Sequence, residues 1–172
     1  QFDFLIRQTT DDILCRNILL PGHSATTKEF RKANRQQWLS AVTNASLEMH
    51  EQCEHIVVVG HSMGCLLGLL VQQERELFSS MLLLGCPFQL HPTWRYFKNS
   101  LSANMTKGKT GDPFVKAAWE ANGVSAKYTI SYLFCSHPYF ELIKMIKNVR
   151  KQRLMIPKET VFCYSELDEI ES

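Results

Sequence analysis

The residues best suited to chemistry are Gly60-His61-Ser62-Met63-Gly64, a G-x-S-x-G pentapeptide. It follows the β-branched run Ile56-Val57-Val58-Val59 and precedes a segment rich in leucine, Leu66 to Val71. A serine hydroxyl becomes a useful nucleophile when it is presented both to a base and to an acyl carbon. A sharp strand-to-helix turn presents it by pushing the serine clear of the backbone, at the cost of strained dihedrals. Strand and helix then lie very close, so small residues are expected two positions before and two after, where Gly60 and Gly64 stand. The backbone N–H of Met63 would open the helix without a partner in it. It could then stabilise an oxyanion formed by attack of Ser62, helped by the helix dipole. A glycine-rich connector with no chemistry is the plain alternative for the same five residues.

Elements to position this turn are legible on both sides. Residues 2–8 read as the end of a helix, and Ile13–Leu20 as a strand closed by Pro21-Gly22. Lys28–Glu51 reads as a long polar helix with Trp38, Val42, Ala45 and Leu47 along a buried stripe. His55–Val59 is a strand expected to be covered on both faces, Met63–Leu77 a helix, Ser80–Leu84 a second strand and Thr160–Tyr164 a third. Strands alternating with helices argue for an α/β sheet. Residues 90–150 differ from the rest. They carry ten of the chain's eighteen aromatics, and nine basic residues against three acids. They read as an inserted helical lid, dividing the chain into a core part at 1–89, the lid at 90–150 and a return to the core at 151–172. Lys144, Lys147 and Lys151 recur at helical spacing and suit a solvated face.

With Leu20-Pro21-Gly22-His23 before the pentapeptide and Leu82-Leu83-Leu84-Gly85-Cys86-Pro87 after it, the sequence resembles the α/β-hydrolase superfamily. It is most similar to the bacterial carboxylesterase and monoacylglycerol-lipase-like members, over residues 12–89 and 155–170. The resemblance implies a partial α/β-hydrolase fold: a mostly parallel sheet flanked by helices, with the lid inserted. It implies Ser62 as nucleophile and the Met63 N–H as oxyanion donor. It also implies an acid just after a late strand. Ser165-Glu166-Leu167-Asp168 follows Val161-Phe162-Cys163-Tyr164, which makes Asp168 the matching carboxylate. The residues alone do not choose among Glu166, Asp168, Glu169 and Glu171. Ser24 and Cys65 stand where members often carry glycine.

The superfamily's triad runs in the order serine, acid, histidine. His23, His50, His55, His61, His91 and His137 all precede Asp168. The triad histidine is therefore expected beyond Ser172, and the second oxyanion donor ahead of Ile13. The chain, starting at Gln1, reads as the middle part of such a hydrolase and is expected to be inactive as a separate molecule. The expected reaction is hydrolysis of a small-molecule acyl ester through an acyl-enzyme, without cofactor or metal. A thioesterase, acyltransferase or peptidase shares fold and triad, and a non-catalytic hydrolase-like binding protein is the reading from another class.

The bulk numbers bound these readings. The 172 residues suffice for one real core, and 45% hydrophobic with 21% charged residues is ordinary for a globular domain. A net charge of +2 gives no reason to expect a nucleic-acid partner. No apolar run approaches the roughly 18 residues of a spanning helix, so stable membrane insertion is not expected. Six scattered cysteines form no CxxC pair. Cys15, Cys65, Cys86 and Cys163 read as apolar filler in core elements, which favours reduced thiols and a cytoplasmic setting. Oligomeric state is not legible.

Overall fold

The computed structural model describes residues 2–23, 26–89, 98, 102–103, 105–107, 109–120 and 136–165. The helices are α1 (Asp3–Ile6), α2 (Thr27–Phe30), α3 (Arg35–His50), α4 (Met63–Arg75), α5 (Pro113–Glu120) and α6 (Ser136–Lys151). The strands are β1 (Val57–His61), β2 (Ser80–Leu84) and β3 (Glu159–Cys163). They form one parallel sheet in the order β1-β2-β3. The register aligns His61 with Leu84 and Leu84 with Cys163, so all three strands end on one edge. This is the expected α/β arrangement, a parallel sheet with helical crossovers.

The crossover from β1 to β2 is α4, and its sequence explains its place. Cys65 to Gln72 are all buried, the mark of a helix apolar on every side. One side rests on β1, while α3 and α6 pack on α4 and on each other. Gly68 permits the close approach: a Cβ there would stand 3.2 Å from Met81 Cε and from Val58 Cγ1. Leu66, Leu67 and Leu69 of α4, Met81 and Leu83 of β2, and Met145 and Val149 of α6 join Trp38 in one cluster. Gln72 is buried but satisfied, because its Oε1 accepts the Phe78 N–H at 2.9 Å. That bond closes the turn from α4 into β2.

The expected long helix begins later than its composition suggests. Lys28–Phe30 belongs to the short α2, and α3 starts only at Arg35. Asn34 decides this with a capping box. Its Oδ1 accepts from Gln37 N at 3.0 Å, and Gln37 Oε1 accepts from Asn34 N at 3.1 Å. Trp38 and Ala45 are buried as expected, whereas Leu47 is exposed. Glu141 of α6 reaches the same helix start. Its carboxylate takes the Arg35 N–H at 3.3 Å, lies 3.8 Å from Arg35 Nε and accepts from Lys144 Nζ at 2.6 Å. An acid suits that position because a helix start is electropositive. The Lys144 bond, then the Arg35 N–H, holds its pKa below the usual carboxylate value against the opposing cost of burial.

Three expectations are corrected. Ile13–Leu20 is not a strand: it pairs with no strand among the described residues, and Ile13, Leu14 and Leu19 are exposed. Only Leu20 packs on the core, and Arg16 pairs with Glu48 of α3. Second, the sheet is covered on one face only among the described residues. Val57 and Val161 are exposed on the other face. Third, Cys65 and Cys86 are core fillers, but Cys15 and Cys163 are exposed. Within the segment read as a lid, α6 packs on α3 and α4 and contributes Met145, Ile146 and Val149 to the core cluster.

Candidate active site

Between β1 and α4 the chain turns on one residue. Ser62 has φ 51° and ψ −121°, a region that L-residues occupy only at a cost of order 1–3 kcal/mol. Its surroundings enforce that conformation. The Ser62 N–H continues the ladder by donating to Leu84 O at 2.9 Å, while Ser62 O already accepts from Cys65 N at 2.9 Å. Strand and helix bonding thus meet on one residue, leaving its side chain at the strand-to-helix corner, half-buried.

Gly60 makes this corner possible. A Cβ on it would lie 2.9 Å from Cys65 N, 3.0 Å from Cys65 Cα and 3.0 Å from Gly64 C, all backbone atoms. Gly64 is different, since a Cβ there meets nothing within 4 Å. The expectation that both positions must be small holds for Gly60 alone. Cys65 fits because its Sγ turns inward, fully buried, 3.4 Å from Leu84 O.

Met63 is the first residue of α4. Its N–H therefore has no carbonyl one turn earlier to bond within the helix, as an oxyanion donor requires. His61 ends β1 and is exposed. Asp168 and His91 lie outside the described residues. His50 and His137 are exposed on α3 and α6, and His55 Nδ1 lies 3.4 Å from Ser79 Oγ. His23 is structural: its ring meets Phe30 edge-on at 5.5 Å and Trp38 at 6.0 Å. Burial lowers its pKa, opposed by the backbone bond to Pro21, and its Nδ1 has no hydrogen-bond partner among the described residues. Trp38 in turn donates from Nε1 to Pro21 O at 2.9 Å, which fixes the turn that carries His23.

Two clefts lie away from this corner. One of about 440 Å³ runs between α3, α4 and α6, lined by Ser40, Leu70, Glu74 and Met145 among others. Leu70 is eight residues past Ser62, roughly 12 Å along the helix axis, so this polar groove is no part of the elbow. Among the described residues no His, Cys, Asp and Glu group could hold a metal ion. No described helix is long and apolar enough to cross a membrane.

A profile of the serine hydrolase family matches residues 16–107, more than half of the chain and centred on this corner. The chain belongs to the serine hydrolase family. No curated protein sequence matches it. Among solved structures, the hydrolase is similar to one reported with LipS and LipT, two metagenome-derived lipolytic enzymes. Identity is 13% and the TM-score 0.44, covering 86% of this chain and 69% of that one. It is also similar to a deformylase, Nfo, from Pseudomonas putida S16, at 11% identity and a TM-score of 0.32, covering 73% and 64%. The hydrolase chain thus spans about two thirds of the length of these structures. Likenesses this distant carry no argument about substrate.

The capping box at Asn34 and Gln37 was available to sequence reading, as S/T/D/N followed three residues later by E/Q. The Glu141 cluster was not, because its partner Arg35 lies 106 positions away.

Proposed function

We propose that this serine hydrolase cleaves carboxylic esters through an acyl-enzyme formed on Ser62. The observation that carries the reading is the Ser62 backbone at φ 51°, ψ −121°, at the C-terminal edge of a parallel sheet. In open α/β sheets ligands bind outside the carboxyl ends of the strands.

In this reading the Ser62 oxygen attacks the acyl carbon as a base removes its proton. The carbonyl oxygen becomes an oxyanion, stabilised by the Met63 N–H and the start of α4. Collapse expels the alcohol, which takes the proton from the base, and leaves the acyl group on Ser62. Water, deprotonated by the same base, then attacks the ester and frees the acid and the serine. Asp168 would orient the base and stabilise its imidazolium. In sequence it follows β3, whose end Cys163 lies in register with Leu84 and thus two strands from His61. That register supports Asp168, since the chain leaves β3 on the edge where Ser62 stands.

The lid assignment, with its aromatics as the wall of an apolar acyl pocket, belongs to the same proposal. Most of those aromatics lie outside the described residues, while Tyr139 and Phe140 of α6 are exposed. A chain-length series of nitrophenyl esters on the full-length protein tests the substrate class. The reading expects turnover that peaks at medium acyl length and disappears in Ser62→Ala. A flat profile, or preference for acetyl alone, contradicts the apolar pocket.

A further inference from the structure

The loop after β2 is fastened to the end of β3 by a backbone bond, a side-chain bond and a ring contact. Gly85 N–H donates to Cys163 O at 2.8 Å, extending the ladder one residue past Leu84. Tyr164 Oη donates to Cys86 O at 3.2 Å. The rings of Phe88 and Phe162 sit 5.8 Å apart at 42°. Between these ties Gly85 takes φ 55°, and Cys86 and Pro87 are fully buried. The same seam reaches the elbow, because Leu84 O accepts the Ser62 N–H.

Registration makes this seam relevant to the reaction. Ser62, Gly85 and Tyr164 are each one residue past the aligned trio His61, Leu84 and Cys163. Two strand spacings of about 4.8 Å separate the outer two, so Tyr164 starts roughly 10 Å from Ser62. Asp168 lies four positions further along the sequence.

We infer that Tyr164, four positions before Asp168 in the sequence, is a positioning residue: through Cys86 its hydroxyl holds the end of β3 against the elbow of Ser62. The inference rests on the ester-hydrolase reading above. Tyr164 does not touch the reacting atoms in this account. It acts by holding two strand ends at a fixed separation, and misplacements near 1 Å can cost up to about 100-fold in rate.

The test is Tyr164→Phe in the full-length protein, with Ser62→Ala in the same nitrophenyl ester assay. Phenylalanine keeps the ring and removes only the hydroxyl, so the melting temperature should move by no more than a few degrees. The expected result is a kcat lowered about three- to tenfold with KM within about twofold, the pattern of a loss confined to the transition state. The acidic limb of kcat/KM should also move to lower pH, because an imidazole less well paired with its carboxylate is a weaker base. Phe88→Leu loosens the same loop through a different contact and should lower kcat in the same direction. Unchanged kcat and an unmoved pH limb in Tyr164→Phe, with Ser62→Ala inactive, overturn the inference and leave the hydrolase reading standing. Turnover that survives Ser62→Ala overturns both.

Discussion

Gly60 and Gly64 flank the nucleophile symmetrically in sequence, yet the structure gives them opposite roles. An alanine Cβ at position 60 would stand 2.9–3.0 Å from three backbone atoms of residues 64 and 65. None of these can rotate away, as a side-chain end could. Overpacking ordinarily costs about 1–3 kcal/mol, and three unyielding contacts put Gly60→Ala near the top, about 3 kcal/mol. For a chain of this size roughly 2–4 °C accompany each kcal/mol, so the melting temperature should fall by about 6–12 °C. The only relief is to move the start of α4 off β1. That carries the Ser62 hydroxyl and the Met63 N–H away from each other's common target. Gly64→Ala meets no neighbour and replaces glycine by the best helix former in the first turn of α4. It should be neutral, or stabilise by up to about 1 kcal/mol. Urea denaturation of both variants, paired with ester turnover, reads the contrast. Equal losses at the two positions, or an unaffected Gly60→Ala, would refute the idea that close packing at Gly60 shapes the corner.

Two further outcomes follow from other parts of the fold. Glu141→Gln removes a buried carboxylate that takes a Lys144 bond and the Arg35 N–H. It should cost roughly 1–2 kcal/mol at neutral pH. Because the folded-state pKa of Glu141 is depressed, that contribution is present above the unfolded value near 4.3. It is lost as pH falls through the folded pKa, so wild type and variant should converge in acid denaturation. His23 is held below its ordinary pKa by burial, so the unfolded chain binds its proton first. Stability should therefore decline as pH falls below about 6.5, and His23→Gln should flatten that slope in thermal melts across pH 7 to 5.

Legibility in the sequence followed the range of the interactions. The elbow was readable because its requirements are local: a small residue two before the serine, a strand behind and an apolar helix ahead. β2 was readable to the residue, since Ser80–Leu84 is a short apolar run between turns. Ile13–Leu20 misled because apolar character marks a strand only where a partner ladder is in reach, and here the described residues offer none. The requirement for a small residue at Gly64 was a symmetry argument that the approach of α4 to β1 does not respect. The ties that frame the site, Tyr164 to Cys86 and Glu141 to Arg35, join residues 78 and 106 positions apart. No local pattern encodes such pairs; parallel pairing brings Tyr164 to Cys86, and the docking of α6 on α3 brings Glu141 to Arg35.

The account turns on whether the hydroxyl at the corner between β1 and α4 is an activated nucleophile. Treating the full-length protein with a fluorophosphonate and mapping the adduct by peptide mass spectrometry asks this directly. A single phosphonyl group on Ser62, absent from the Ser62→Ala variant, is the expected result. Protein left unmodified, or a label on another serine with Ser62 untouched, would contradict it.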